Sequence, residues 1–228
     1  MTAVVKRFDD AGQYEREIRQ LLPGYDVLHA MPAAVLGAVL GEDSRVLVVG
    51  CGPAHEAVTL ARALPGSLLD ALDPSPAMVA AARETVRAAR MMERIRVVQA
   101  DLGGFVLEEH YDAAVVMLVG HMIPDDGARE EFLRQLARAL RPGGVAILAE
   151  LEDTGAAHGV LVEAHVRCAL EAGLPRERAE TLRGRLMGGF HLLTRERLDV
   201  LLSRAGLKVK AELFRAFGMV GRVLEREV

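Results

Sequence analysis

Tryptophan is absent from the 228 residues, and Phe and Tyr bring the aromatic share only to 4 %. So few rings make a poor stacking platform for single-stranded nucleic acid. Lysine is nearly missing as well, standing only at Lys6, Lys208 and Lys210. The 28 basic residues are therefore mostly Arg, which reads as coding bias ahead of ion-pair networks. With a net charge of −4 and no long basic run, nothing favours a phosphate backbone as partner. Cys51 and Cys168 are the two cysteines, one in a glycine loop and one in a helical pattern, so a disulfide framework is not expected. No apolar run is long enough to span a bilayer, and no signal peptide is seen. The sequence predicts a cytoplasmic protein without nucleic-acid or membrane partners.

Apolar residues are plentiful, 51 % against 26 % charged, over a length for which one domain is the default. The organising stretch is Arg45–Leu60, RVLVVGCGPAHEAVTL. Its Val-rich run breaks at Gly50-Cys51-Gly52-Pro53 and resumes at helical spacing, which predicts a buried parallel strand, a tight turn and a helix N-terminus. Such a turn lets a ligand approach the backbone, and the helix start offers it free N–H groups.

From there strands and helices alternate. Strands are predicted at Arg45–Val49, Leu68–Leu72, Ile95–Ala100, Tyr111–Leu118 and Val145–Leu151. The intervening helices are predicted at Pro53–Leu64, from Pro76 to about Arg90 under a Ser75 cap, and from an Asp125/Asp126 cap to Arg141-Pro142-Gly143-Gly144. Thr194 caps a further helix that stops at Gly206, and Lys208–Phe217 with Met219–Glu225 predicts an antiparallel hairpin at the sheet edge. Ahead of the first strand, residues 13–22 place Tyr14, Ile18, Leu21 and Leu22 on one helical face, and a second helix follows Pro23-Gly24. Regular alternation implies a parallel sheet with helices on both faces, and ligands beyond the carboxyl ends of its strands. The chain divides into a helical cap (1–42), a core (43–152), a helical insertion forming a substrate lid (153–193), and a last helix with the hairpin (194–228).

The loop alone does not name its ligand. A dinucleotide fingerprint wants another glycine at position 55, which is His55; an S-adenosylmethionine loop commonly has one at position 54, which is Ala54. Asp73 ends the second strand, where a carboxylate can accept both ribose hydroxyls of either cofactor. Asp101 ends the third, where it can accept from an adenine amine. For each Asp the alternative is a cap on the following helix or turn.

Five motifs in register, VLVVGCGPAHEA, LDALDPSPAMVAAAR, VVQADLGGF, YDAAVVMLVGHMIPD and LRPGGVAILAE, together resemble the class I S-adenosylmethionine-dependent methyltransferases over Arg45–Glu152. The closing hairpin is similar to that family's antiparallel seventh strand. The resemblance implies an α/β, Rossmann-like, doubly wound seven-stranded sheet, mostly parallel, and methyl transfer from S-adenosyl-L-methionine to a small molecule. It places Gly50, Cys51, Gly52 and Ala54 along the methionine and ribose of the cofactor and Asp73 on the ribose hydroxyls. Pro74 and Met78 pack near the adenine, Asp101 and Leu102 frame it, and the Met117 backbone meets the methionine moiety. Two positions depart from the family: Val48 stands where an acid is frequent, and Ala54 where glycine is usual. Met78 has a helix-core role as its alternative.

In-line methyl transfer needs alignment and exclusion of water, and a base only for a poorly acidic nucleophile. His121, just past the fourth strand, is the candidate to orient or deprotonate substrate, against a loop histidine bonded to backbone. Tyr14, Tyr25 and His29 are candidates for the lid, with core packing as the alternative. His158, His165 and His191 show no recognised ligand spacing, so no metal is expected. Cys51 reads as a small loop residue. Glu150, Glu152 and Asp153 read as a solvated cluster near the substrate mouth, with a cationic ligand as the sharper alternative. The N-terminal RFDD…LLPGY and C-terminal AELFRAFGMVG resemble, more faintly, the carboxy-S-adenosylmethionine synthases, although the Arg that family uses on a carboxylate falls at Leu201 here. A non-catalytic cofactor-binding protein is the other alternative.

Overall fold

The structure, a computed structural model, describes residues 17–228. Its centre is a seven-stranded sheet in the order β3-β2-β1-β4-β5-β7-β6. Strands β1 (Arg45–Val49), β2 (Leu68–Asp73), β3 (Ile95–Gln99), β4 (Tyr111–Met117) and β5 (Leu140–Leu151) run parallel. Strands β6 (Leu207–Ala216) and β7 (Met219–Arg226) close the chain, with β7 antiparallel to both β5 and β6. The expected seven-stranded α/β architecture is the one observed. No helix among the described residues is long and apolar enough to cross a membrane.

Strand β1 shows why the sheet is covered on both faces. Its side chains alternate: Leu47 and Val49 enter one apolar cluster, Val46 and Val48 the other. The Leu47 face is covered by α4 (Ala128–Ala139) and α7 (Arg195–Arg204), through Leu133, Leu136, Leu198 and Leu201. The Val46 face is covered by α1 (Tyr25–Val39), α2 (His55–Ala63) and α3 (Pro76–Ala88). Each fully buried Leu contributes about 1.5–3 kcal/mol. A third cluster joins α5 (His158–Glu171) and α6 (Arg176–Gly184) to Ala149, Leu151 and Met219, and to Leu22 and Leu28. The insertion therefore packs on the carboxyl end of β5.

Two boundaries differ from the periodicity. Helix α4 starts at Ala128 after a left-handed Gly127, while Asp126 accepts from the Ala128 N–H at 3.1 Å. Strand β5 begins at Leu140, five residues early, because Tyr111 pairs with Leu140 before the register slips to Ala113 with Val145. The Pro-Gly-Gly segment is an irregularity inside the pairing.

The acids at the end of β5 are a larger correction. Glu150 and Glu152 are not solvated; they are 1 % and 3 % exposed. Their cationic partners come from the chain itself: Arg129 Nη1 donates to Glu150 Oε2 at 2.7 Å, and Arg222 pairs with Glu152. Both arginines are fully buried. Arg129 also donates to the Ile123 carbonyl, at 3.2 Å from Nε and 3.1 Å from Nη2, and to the His191 carbonyl at 3.0 Å. It thereby ties the segment after β4 and the end of the insertion to β5. Gly120 makes room for the pair, since a Cβ there would lie 1.6 Å from Glu150 Oε1.

Removing one partner of such a pair leaves a buried charge alone, which costs more than removing both. Arg129→Met is expected to destabilise by about 3–5 kcal/mol, and Arg129→Met with Glu150→Leu to recover more than half of that loss. Urea denaturation of the three proteins checks it.

Candidate functional site

The site lies where the strand order reverses. From β1 the chain goes outward to β2 and β3, then returns to β4 on the other side of β1. The loops after β1 and β4 part there, and such crevices hold ligands in open α/β sheets.

Left-handed backbone shapes the loop after β1: Gly50 has φ +67°, Gly52 φ +51° and Ala54 φ +64°. Gly50 is required by contact as well as by φ, because its Cβ would meet Val119 Cγ2 at 2.4 Å. The segments after β1 and β4 are thus packed against each other. At Gly52 nothing lies within 4 Å of the Cβ position, so this side of the loop is open. Ala54 is fully buried among Val48, Cys51 and Ala57 and holds the strained conformation in a residue with a Cβ. It is the backbone cap of α2 and offers no side-chain cap.

Asp73 fastens the loop from behind. Oδ2 accepts from the Gly52 N–H at 3.0 Å, and Oδ1 from the Ser75 N–H at 2.9 Å. Ser75 caps α3 by accepting from Met78 N–H at 3.4 Å. Capping and loop clamping therefore coexist at Asp73, and each oxygen keeps a second lone pair. Burial pushes the carboxyl above the usual Asp value, against the two N–H bonds that lower it. Cys51 is 7 % exposed, and its thiol is pushed up to about 12 by burial and then by Asp73. It is a protonated packing residue, as read.

Pro74 and Met78 are half-buried beside Asp73. Met78 belongs to none of the three apolar clusters, which removes the helix-core alternative. Asp101 is exposed and caps its turn, accepting from Gly104 N–H at 2.7 Å through Oδ1. The Leu102 side chain is 6 % exposed and packs in the sheet core, so only its backbone is left to frame a ligand. Met117, the last residue of β4, is half-buried beside β5 and the insertion cluster.

His121 lies just past β4, as its spacing implied, but is buried. It is 5 % exposed in a short 3-10 turn, with its ring edge-on to Phe190 at 4.6 Å. Burial and the nearby Arg129 hold its pKa at about 3, so the ring is neutral. Nδ1 is buried without a hydrogen-bond partner. The backbone carbonyl of His121 accepts from His191 N–H at 2.9 Å.

Of the lid candidates, Tyr14 lies outside the described residues. Tyr25 and His29 lie with their rings 4.1 Å apart and tilted by 41° on the first turns of α1, and His29 Nδ1 is bonded to Glu56 of α2. Glu56 went unsingled in the sequence, although it shares a helical stripe with the buried Leu60, an acid at an apolar position. The insertion histidines are anchors, not a cluster. His158 donates to Leu186 O at 2.9 Å and His165 to Leu21 O at 2.7 Å. Among the described residues no group of three His, Cys, Asp or Glu could hold a metal.

The Gly50–Val119 contact is testable. Gly50→Ala is expected to destabilise by about 1–3 kcal/mol through strain and overpacking. Adding Val119→Ala removes the clash but leaves the φ strain, so thermal melts should show partial recovery.

With this geometry in view, the likenesses to known proteins are informative. A family profile described as a methyltransferase domain matches residues 46–144. Carboxy-S-adenosyl-L-methionine synthase from Photorhabdus laumondii is 26 % identical over 148 residues, 63 % of this chain and 58 % of that protein. Trans-aconitate 2-methyltransferase from Paracidovorax citrulli is 29 % identical over 143 residues, 63 % of this chain and 46 % of that one. These matches span only about half the length of the curated relatives. Among solved structures, the N-methyltransferase NodS from Bradyrhizobium japonicum WM9, in complex with S-adenosyl-L-homocysteine, superposes with a TM-score of 0.61 at 16 % identity, covering 93 % of this chain and 97 % of that one. Mitomycin 7-O-methyltransferase MmcR superposes with a TM-score of 0.64 at 18 % identity, over 95 % of this chain and 58 % of that one. Motif order, strand order and these likenesses agree: residues 46–144 match a methyltransferase domain, and the fold is similar to that of the class I S-adenosylmethionine-dependent methyltransferases.

Proposed function

We propose that the chain transfers the methyl group of S-adenosyl-L-methionine to a small-molecule acceptor. The observation that carries this is the cradle at the end of β1: three left-handed residues, an open face at Gly52, and the Asp73 carboxylate bonded behind it. The residues fit the cosubstrate. Asp73 has lone pairs for the ribose diol, Asp101 has a second oxygen for the adenine amine, and Pro74 and Met78 offer half-buried apolar surface between them. When bound, S-adenosylmethionine supplies an electrophilic methyl, and the electrons of the broken carbon–sulfur bond return to sulfur as the acceptor bond forms.

The chain's own residues align the acceptor and exclude water. The segment after β4 and the end of the insertion, held together by Arg129, wall the acceptor side. A neutral His121 with a pKa near 3 is a weak base and no acid at neutral pH; in this reading its unpaired Nδ1 orients a donor group of the acceptor. Low aromatic content and the absence of basic runs support a small acceptor over nucleic acid.

Calorimetry with S-adenosylhomocysteine tests the reading. The wild type is expected to bind it, and Asp73→Asn to lose about 10- to 100-fold in affinity, the worth of hydrogen bonds to a charged acceptor. No binding by the wild type would sink the proposal. The pH dependence has a definite sign. Protonation turns Asp73 from an acceptor into a partial donor, and its pKa lies above the ordinary Asp value. Affinity should therefore fall on acidification, beginning at higher pH than an ordinary Asp (about 3.9) would impose. The Asp73→Asn protein should lose that dependence.

The carboxy-S-adenosylmethionine synthase relatives favour a second reading, modification of the cosubstrate itself. Leu201, where the carboxylate-binding Arg was expected, is fully buried in the core and carries no charge, which ranks this reading second. Mass spectrometry of the nucleoside that copurifies with the protein separates the two, since the carboxylated form is heavier.

A further inference from the structure

Three buried carboxylic acids besides Asp73 and Glu56 face an Arg among the described residues, although Glu150 Oε1 and Glu152 Oε1, like Glu56 Oε1, lack a hydrogen bond. Asp70 accepts from Arg96 Nε at 2.6 Å and from the Tyr111 hydroxyl at 2.5 Å. Asp73 accepts from two backbone N–H groups, Glu150 from Arg129, and Glu152 pairs with Arg222 and with Arg215 at 3.5 Å. Glu56 is 6 % exposed, and no Arg or Lys among the described residues pairs with it. Its Oε2 is bonded to His29 Nδ1, and its Oε1 is buried with no hydrogen-bond partner. A buried carboxyl oxygen without a partner is costly, and proteins avoid it unless something else supplies one.

The position of Glu56 says where that partner comes from. It is the second residue of α2, two beyond Ala54, at the rim of the cradle. Neighbouring His55 also has a buried ring nitrogen, Nε2, without a partner. Ala54 gives α2 no side-chain cap, so the first-turn N–H groups stay open to an acceptor. An unpaired carboxylate oxygen beside an uncapped helix N-terminus matches a zwitterion, with the ammonium on the acid and the carboxylate at the helix end. Val48 of β1, in the apolar cluster that holds Ala54, is 2 % exposed and offers no alternative acid.

We infer that Glu56 is the receptor for the α-ammonium group of the cosubstrate's amino-acid moiety. This rests on the S-adenosylmethionine reading above and assigns a residue to one end of that ligand. His29 keeps Oε2, and the ammonium takes Oε1. Because Oε1 lies out of solvent, the turn of α1 that carries Tyr25 and His29 moves aside as the ligand enters. That turn is the lid over this end of the cradle, and the half-buried His29 is its contact with Glu56.

The test compares two probes by calorimetry: S-adenosylhomocysteine, and its deaminated analogue, in which the α-ammonium is replaced by hydrogen and the carboxylate is kept. The wild type is expected to prefer S-adenosylhomocysteine by about 10- to 100-fold, the worth of a charge-assisted hydrogen bond. Glu56→Gln should bring the ratio close to one by weakening S-adenosylhomocysteine while leaving the analogue nearly unchanged. Glu56→Asp, which retains the charge on a shorter arm, should keep part of the preference. A Glu56→Gln protein that is folded by circular dichroism and still shows the wild-type ratio overturns the assignment. So does a wild type that binds both probes alike, which needs no variant and leaves the cosubstrate reading intact. A wild type that binds neither probe removes the cosubstrate reading itself.

Discussion

Val119 lies against Gly50, and the site depends on that contact. With Val119 Cγ2 occupying the space of a Cβ, β1 can end only in a residue that lacks one and tolerates a positive φ. The contact locks the segment after β4 onto the loop after β1, at the point where the strand order reverses. It sets the width of the crevice between them. Ala54 in the same loop also holds a left-handed conformation, which costs a residue with a Cβ about 1–2 kcal/mol. Ala54 is fully buried in the cluster that contains Val48 and Ala57, and its neighbours over-determine its backbone.

Around that contact the chain concentrates buried charge at the carboxyl end of β5 and the amino-terminal half of β7. An apolar rim would have been cheaper to desolvate, yet Arg129, Glu150, Arg222 and Glu152 are all nearly inaccessible. The geometry of Arg129 accounts for its place there. One guanidinium reaches β5, the segment after β4, and the end of the insertion, three pieces of backbone that no single apolar side chain could hold in register. The cost falls on His121, whose ring is driven to the neutral form by the same burial and by Arg129. A histidine held neutral in that setting is able to accept a hydrogen bond but takes up no proton at neutral pH.

Glu56 stands apart from this compensated network. Each Asp73 oxygen accepts from a backbone N–H, and Glu150 and Glu152 face buried arginines, whereas Glu56 Oε1 has neither kind of partner. In the proposed reading, Asp73 serves the nucleoside end of the cosubstrate and Glu56 its amino-acid end.

The alternation of strands and helices was legible along the chain because each element is long enough to show its own period. Val46 to Val49 alternate between two faces, and α7 repeats Leu198, Leu201 and Leu202. The positions of Asp73 and Asp101 were legible too, since strand ends can be counted. What the sequence could not show was which charged residues would be buried. Glu150 and Glu152 look solvated when read in order, because their partners stand 21 residues before one and 70 residues after the other. The same holds for His121, whose burial depends on Phe190 and Arg129, and for Glu56, whose partner His29 lies on another helix. By itself the sequence determined the fold and the cradle, through local periodicity, turn chemistry and strand-end acids. Only the tertiary structure decided the charge states and partners around the cradle, because burial and long-range pairing are properties of the packed chain.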